Sequence, residues 1–166
     1  MDYQTHPAGF RPIRLDRLRL QTVKDSYKAK GKLSEPTVCE ECGAVFLGGR
    51  WHWAAKPDDS HKTVCPACHR IRDHFPAGYV NIGGDFFAKH EQEILKLIKN
   101  HEAQEKAGHP LQRIMAIEKT KQGTLVTTTD IHLARGIGEA LHHAYQGELA
   151  FHFNEDQNLL RVSWSR

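Results

Sequence analysis

Cys39-Glu40-Glu41-Cys42-Gly43-Ala44-Val45-Phe46-Leu47-Gly48-Gly49-Arg50-Trp51-His52-Trp53 opens the stretch that decides the fold, and Cys65-Pro66-Ala67-Cys68 closes it. Each cysteine pair is C-x2-C, and residues 43–64 lie between them. Two such turns can close a tetrahedron of thiolates, a set that Zn²⁺ accepts at a Zn–S distance of about 2.3 Å. The spacing predicts one structural zinc ion held by Cys39, Cys42, Cys65 and Cys68. The chain has 4 cysteines, so none is left for nucleophilic catalysis or a stray disulfide. Four thiolates fill the shell and leave no position for water, which argues against Lewis-acid chemistry at the metal.

Within the stretch, Gly43 suits the positive-φ turn of a knuckle. Val45-Phe46-Leu47 reads as a strand, Gly48-Gly49 as a hairpin turn, and Trp51 and Trp53 as alternate positions on the return strand. Two knuckles and a hairpin make a zinc ribbon, predicted over residues 37–76. Arg50, Lys62 and Arg70 are the expected neutralisers of a thiolate–zinc centre that carries a net negative charge.

Upstream, residues 1–36 form a basic arm containing Arg11, Arg14, Arg17, Arg19, Lys24, Lys28, Lys30 and Lys32, expected to be partly disordered. Leu15, Leu18 and Leu20 interleave with the arginines, a pattern that also fits a short amphipathic helix. The start, Met1 to Pro7, has no apolar leader region, and no later run approaches the ~18 apolar residues of a membrane span. The expectation is a soluble, cytoplasmic protein with no membrane partner. Charge is split along the chain. Residues 1–72 hold 13 Lys/Arg against 8 Asp/Glu, a net of +5, whereas residues 73–166 hold 10 against 12, a net of −2. A polyanionic partner would therefore be sought on the arm and the metal module.

Downstream, residues 77–166 alternate strands and helices. Gly78–Gly84 is a strand, and a helix capped by Asp85 runs from Phe86 to about Lys106. Strands over Gln112–Lys119 and Thr124–Thr129 join through Lys121-Gln122-Gly123. Asp130 caps a second helix whose Ile131, Ala134, Ile137, Leu141 and Ala144 share one face. Gly147 ends it, and strands Glu148–Asn154 and Asn158–Trp164 follow, with Leu160, Val162 and Trp164 on the core side. The order β-α-β-β-α-β-β predicts an α+β fold, a ferredoxin-like split βαβ domain with one added strand.

Several residues carry candidate chemistry. Arg50, Trp51, Trp53, Lys62 and Arg70 combine cations with aromatics, the pattern by which proteins hold phosphates and stack unpaired bases. One tryptophan is expected to cover the metal site and the other to be available, and either fits either role. His132 and Arg135, early in the second helix, form a candidate anion-binding pair through which the alpha/beta domain would dock on RNA or a ribosomal protein. The 12 histidines scatter without the spacing of a second metal site. Asp73-His74-Phe75-Pro76 has the residue types of a metal-finger nuclease, but it falls after the last cysteine rather than on the hairpin. A nucleophilic triad, a P-loop and a dinucleotide fingerprint are absent from the sequence.

Cys65-x2-Cys68-His69-Arg70, the Gly78-Tyr79 element, the hairpin with Thr127-Thr128-Thr129, the helix with Ala134 and Ile137 and the closing basic strand resemble the zinc-binding and alpha/beta region of the nuclear export adaptor of the large ribosomal subunit. The whole chain also resembles a family of small bacterial proteins with Pro36-Thr37-Val38-Cys39, Gly49-Arg50-Trp51, His109-Pro110-Leu111 and Thr128-Thr129-Asp130-Ile131-His132-Leu133-Ala134-Arg135. What the two resemblances imply together is contact with the ribosome or RNA. The expected function is that of a non-enzymatic zinc-ribbon factor binding the ribosome or structured RNA, in ribosome assembly or the translational stress response, with a ribosomal protein as a second expected partner. A protein–protein adaptor and a metal-dependent nuclease using His74 are the rival expectations.

Overall fold

The computed structural model describes residues 26–29 and 31–166. The arginines and leucines of the expected amphipathic segment, Arg11 to Leu20, lie outside the described residues. The described residues form two sheets. The first has strands β1 (Thr37–Cys39), β2 (Val45–Leu47), β3 (Arg50–His52) and β4 (His61–Thr63) in the order β3-β2-β1-β4, followed by helix α1 (Pro66–Asp73). The second has β5 (Gly78–Gly83), β6 (Ile114–Thr120), β7 (Gly123–Thr128), β8 (Glu148–Asn154) and β9 (Leu159–Ser165). Between them run α2 (Asp85–Lys89), α3 (Glu91–Gly108) and α4 (Ile131–Tyr145).

The hairpin β2–β3 forms where Gly48-Gly49 sits between apolar and aromatic residues, with Phe46 opposite Trp51. Both glycines are at positive φ, +61° and +75°, and their N–H groups donate to the Glu35 carboxylate at 3.0 and 2.9 Å. Those two hydrogen bonds, led by the one from Gly49, hold the Glu35 carboxyl below its ordinary pKa. The second cysteine pair is not the second knuckle of the expected ribbon. Cys65 is the N-cap of α1 and Pro66 its first helical residue, a position where the missing N–H costs nothing and φ is already helical.

The larger sheet has the order β6-β7-β5-β9-β8. β5 and β6 both pair antiparallel with β7, which lies between them, while β9 pairs parallel with β5 and antiparallel with β8. The succession of strands and helices matches the sequence pattern, but the last strand is inserted beside β5 instead of extending an edge. Val80, Ile82, Val126, Leu160, Val162 and Trp164 face one side and meet Ile131, Ala134, Ile137 and Leu141 of α4, all buried. The alternate positions Asn81, Arg161 and His152 are exposed, the period-2 pattern of a sheet with one covered face. Gly138 allows the close approach of α4, since a Cβ there would lie 2.6 Å from Val162 Cγ1. Trp164 is fully buried and its indole N–H donates to the Gln146 carbonyl at 2.7 Å.

The helix expected from Phe86 to Lys106 is two helices, broken at His90, and Asp85 is not its cap. Gly84, at φ +100°, occupies the cap position, and the Arg166 carbonyl accepts from Phe86 and Phe87 N–H at 2.8 and 3.2 Å. At α4 the expected cap is in place. Asp130 accepts from His132 N–H at 2.8 Å and Leu133 N–H at 3.0 Å. Asp130→Ala should therefore destabilise the protein by about 1 kcal/mol and lower Tm by roughly 3 °C, checked by thermal melts beside Asp130→Asn, which should lose less.

Candidate metal centre

The first cysteine pair is shaped by a knuckle. Cys39 N–H donates to Ala44 O at 2.8 Å, and Gly43 N–H, at φ +78°, donates back to Cys39 O at 2.9 Å. The second pair is shaped by a helix start, where Cys68 N–H donates to Cys65 Sγ at 3.4 Å and Cys65 N–H to Cys39 Sγ at 3.2 Å. Together they bring Cys39, Cys42, Cys65 and Cys68 Sγ within 4.8 Å of one another, a group that can hold a metal ion. The Cys39–Cys68 and Cys42–Cys65 separations are both 3.8 Å. A disulfide would need about 2.05 Å, whereas a tetrahedron with ~2.3 Å metal–sulfur bonds has edges of ~3.8 Å. The donor set and its spacing fit a four-coordinate metal. Among the described residues it is the one cluster of three or more such ligands.

The centre is buried, with Cys39 at 1%, Cys65 at 0% and Cys68 at 5% exposure. Ala44, Ala67, Val64, Trp51 and Leu111 pack around it. Burial pushes the Cys65 thiol far above its ordinary pKa, outweighing the hydrogen bond from Cys68 N–H. At Cys68 burial again dominates and raises the pKa, with the hydrogen bond from Arg113 pulling the other way. Cys39 differs: burial opposes its thiolate, but hydrogen bonds from the N–H groups of Cys65 and Cys42, joined by those from their thiols, outweigh it and lower its pKa. A cation is what such a set needs in order to ionise as a whole.

Arg113 is the functional residue that sequence reasoning missed. It lies in the loop ahead of β6, 45 residues beyond Cys68, and no local pattern marks it. Its Nη1 reaches Cys68 Sγ at 3.3 Å, and its Nη2 reaches Cys42 Sγ at 3.1 Å and Cys65 Sγ at 3.5 Å. Its Nε donates to the Pro110 carbonyl at 2.8 Å. Burial works against the guanidinium charge, but the contacts to Cys68, Cys42 and Cys65 outweigh it and raise its pKa. The planar fork suits several acceptors at once, which a lysine could not do. With a divalent ion, four thiolates sum to −2, and Arg113 brings the centre to −1.

The expected neutralisers sit elsewhere. Arg50 and Lys62 are exposed on β3 and β4. Arg70 is buried at 2% exposure, donates through Nη1 to Phe75 O at 3.1 Å, and lies 4.4 Å from the Tyr27 ring centre. Its guanidinium is turned into the fold and away from solvent. Trp51 is half-buried against the cysteines and Phe46. Trp53 is 41% exposed, but its indole N–H donates to Lys106 O at 2.7 Å, satisfying one of the free carbonyls at the end of α3. The metal module is thereby joined to the larger sheet through Trp53, Leu111 and Arg113.

His132 and Arg135 do not assemble as an anion-binding pair. The Asp130 carboxylate already occupies the N-terminal position of α4, and Arg135 is paired with Glu139 at 2.8 Å. His74 takes the left-handed position ending α1, and Asp73 accepts from Tyr27 OH at 3.0 Å. No helix among the described residues is long and apolar enough to cross a membrane. In comparisons with protein families, with curated proteins and with solved structures, nothing matches this chain.

Proposed function

We propose that this chain is a non-enzymatic factor that binds the ribosome or structured RNA and is organised by one structural zinc ion. Zinc is the reading because a closed, buried shell of four sulfurs suits a tetrahedral ion with no redox role. The observation that carries the RNA reading is the polarity of charge, +5 over residues 1–72 against −2 over residues 73–166. The closed shell supports a scaffolding role, with the metal holding the hairpin that carries exposed Arg50, beside exposed Lys56 and Lys62. The resemblance to the ribosomal export adaptor's zinc-binding region points the same way, and the reading places the chain in the cytoplasm. We read the larger sheet as a ferredoxin-like core, β5-α-β6 split by β7, with β9 inserted between β5 and β8.

The test is RNA binding as a function of salt, together with sedimentation of the tagged protein with ribosomal subunits. Arg50→Ala combined with Lys62→Ala should weaken binding several-fold and reduce the salt slope by about 1 for each phosphate no longer neutralised. Absence of salt-sensitive binding and of co-sedimentation would sink the reading. A second reading, docking on a ribosomal protein, is favoured by exposed Leu47, Ile71 and Phe75, at 49%, 39% and 44%. It expects the alanine pair to leave RNA affinity unchanged while Ile71→Ser abolishes co-sedimentation. Divalent-ion-dependent cleavage that disappears in His74→Ala would replace both.

A further inference from the structure

Three parts of the chain converge on a cavity of about 520 Å³ that the metal centre does not use. Phe46 and Trp51 supply an aromatic wall, their ring centres 5.5 Å apart. Lys28 and Lys32 line it from the N-terminal side, His69 from α1, and His132 from α4. Its size falls within the ~300–1,000 Å³ usual for sites that enclose one small molecule. Among its described lining residues the one carboxylate is that of Asp130, already bonded to two helix N–H groups. Lys28 and Lys32 are the cations of that lining, Lys32 also acting on the Glu35 carboxylate.

Asn158 adds a separate observation. It lines the same cavity, is 5% exposed, and its side-chain oxygen is buried without a hydrogen-bond partner. A buried acceptor left unmet is rare in folded proteins and marks a place where a donor belongs. The chemistry asked for is therefore composite: a flat ring for the wall, an N–H donor for Asn158, and an anion for the lysines and imidazoles. An apolar ligand would leave Asn158 unmet, and a bare phosphate would leave the aromatic wall unused.

We propose that this cavity binds one nucleoside monophosphate unit, free or as a single unpaired residue of an RNA strand. The base stacks on the wall, offering an N–H to Asn158, and the phosphate lies toward Lys28 and Lys32. Trp51 and His132, two residues singled out in the sequence for RNA contact, thereby serve one site. The proposal deepens the RNA reading and rests on it only for the source of the nucleotide.

The test uses the metal-loaded full chain. AMP, GMP, CMP and UMP are titrated by ligand-observed NMR, and a labelled single-stranded RNA by anisotropy. At least one monophosphate should saturate and should bind more tightly than its nucleoside. Asn158→Gly, compatible with the φ of +46°, and His132→Ala should each weaken it about tenfold. Lys28→Ala with Lys32→Ala, both exposed and outside the packed core, should weaken the monophosphate but not the nucleoside. RNA displaced by the monophosphate identifies the strand as the source. A monophosphate bound by a protein that ignores RNA upholds the cavity and removes the RNA reading. No saturation by any of the four, or equal affinity in all the variants, overturns the cavity, and RNA binding that persists in them leaves the RNA reading standing.

Discussion

Replacing Cys65 with serine should release the metal and unfold the chain from Thr37 to Asp73 while leaving the larger sheet folded. The module's own buried apolar set is small, Val38, Ala44, Val45 and Ala67 besides the cysteines, too little to offset the entropy of ordering its loops. A structural zinc contributes on the order of 10 kcal/mol or more to such modules, as much as many whole domains possess. The larger unit keeps its own core around Val80, Ile137, Leu160 and Trp164. Metal content should fall from one ion per chain to none, and amide NMR signals of β1–β4 should collapse while those of β5 and β9 persist. A fully metallated, unchanged Cys65→Ser protein would refute the account. The pH response has a definite sign. Burial raises the Cys65 and Cys68 thiols in the metal-free chain, so protons compete strongly for them, and release to a chelator should accelerate as pH falls from about 8 to about 6.

Arg113→Met should be the most damaging change outside the cysteines. It removes one partner of a buried charge cluster and leaves thiolate charge without its neighbour, a loss of about 3 kcal/mol. For a chain of this size that lowers Tm by on the order of 10 °C. Arg113→Lys should recover little, because one ammonium cannot span Cys42, Cys68 and the Pro110 carbonyl together. The companion measurement is metal retention against a chelator, which should weaken in both variants. Arg50→Met, on the exposed hairpin, should leave Tm and retention unchanged. If Arg113→Met and Arg50→Met behave alike, Arg113 has no special part in the centre.

The sequence made the cysteine quartet legible because C-x2-C spacing restricts where four sulfurs can go. The hairpin β2–β3, the cap at Asp130 and the alternation Leu160, Val162, Trp164 were legible for the same reason: each is a local pattern with a fixed period or a fixed turn. β1 and β4 are three-residue strands that exist only by pairing with each other and with β2, so nothing in their own residues announces them. The helix break at His90 is a local departure of the backbone, φ −122° and ψ 23°, with no proline or other strong breaker to announce it. Arg113 was invisible on similar grounds, since its partners are Cys42, Cys65 and Cys68, far back in the chain. Arg70 looked like a surface cation because it follows Cys68 in a basic run, whereas the close of α1 turns it beneath Tyr27.

The place of β9 has a consequence for how the molecule is made. On a translating ribosome, β5 emerges well before the strand that must lie against it, and β8 appears first on what becomes the far side of a gap. Until Leu159–Ser165 has been synthesised, two neighbouring strand edges remain open and α4 lacks the floor provided by Leu160, Val162 and Trp164. The metal module is complete once Arg113 has followed Cys68, but the sheet can only zip after its final strand arrives. Nascent chains stalled before Leu159 should thus hold the metal yet remain protease-sensitive from Gly78 onward.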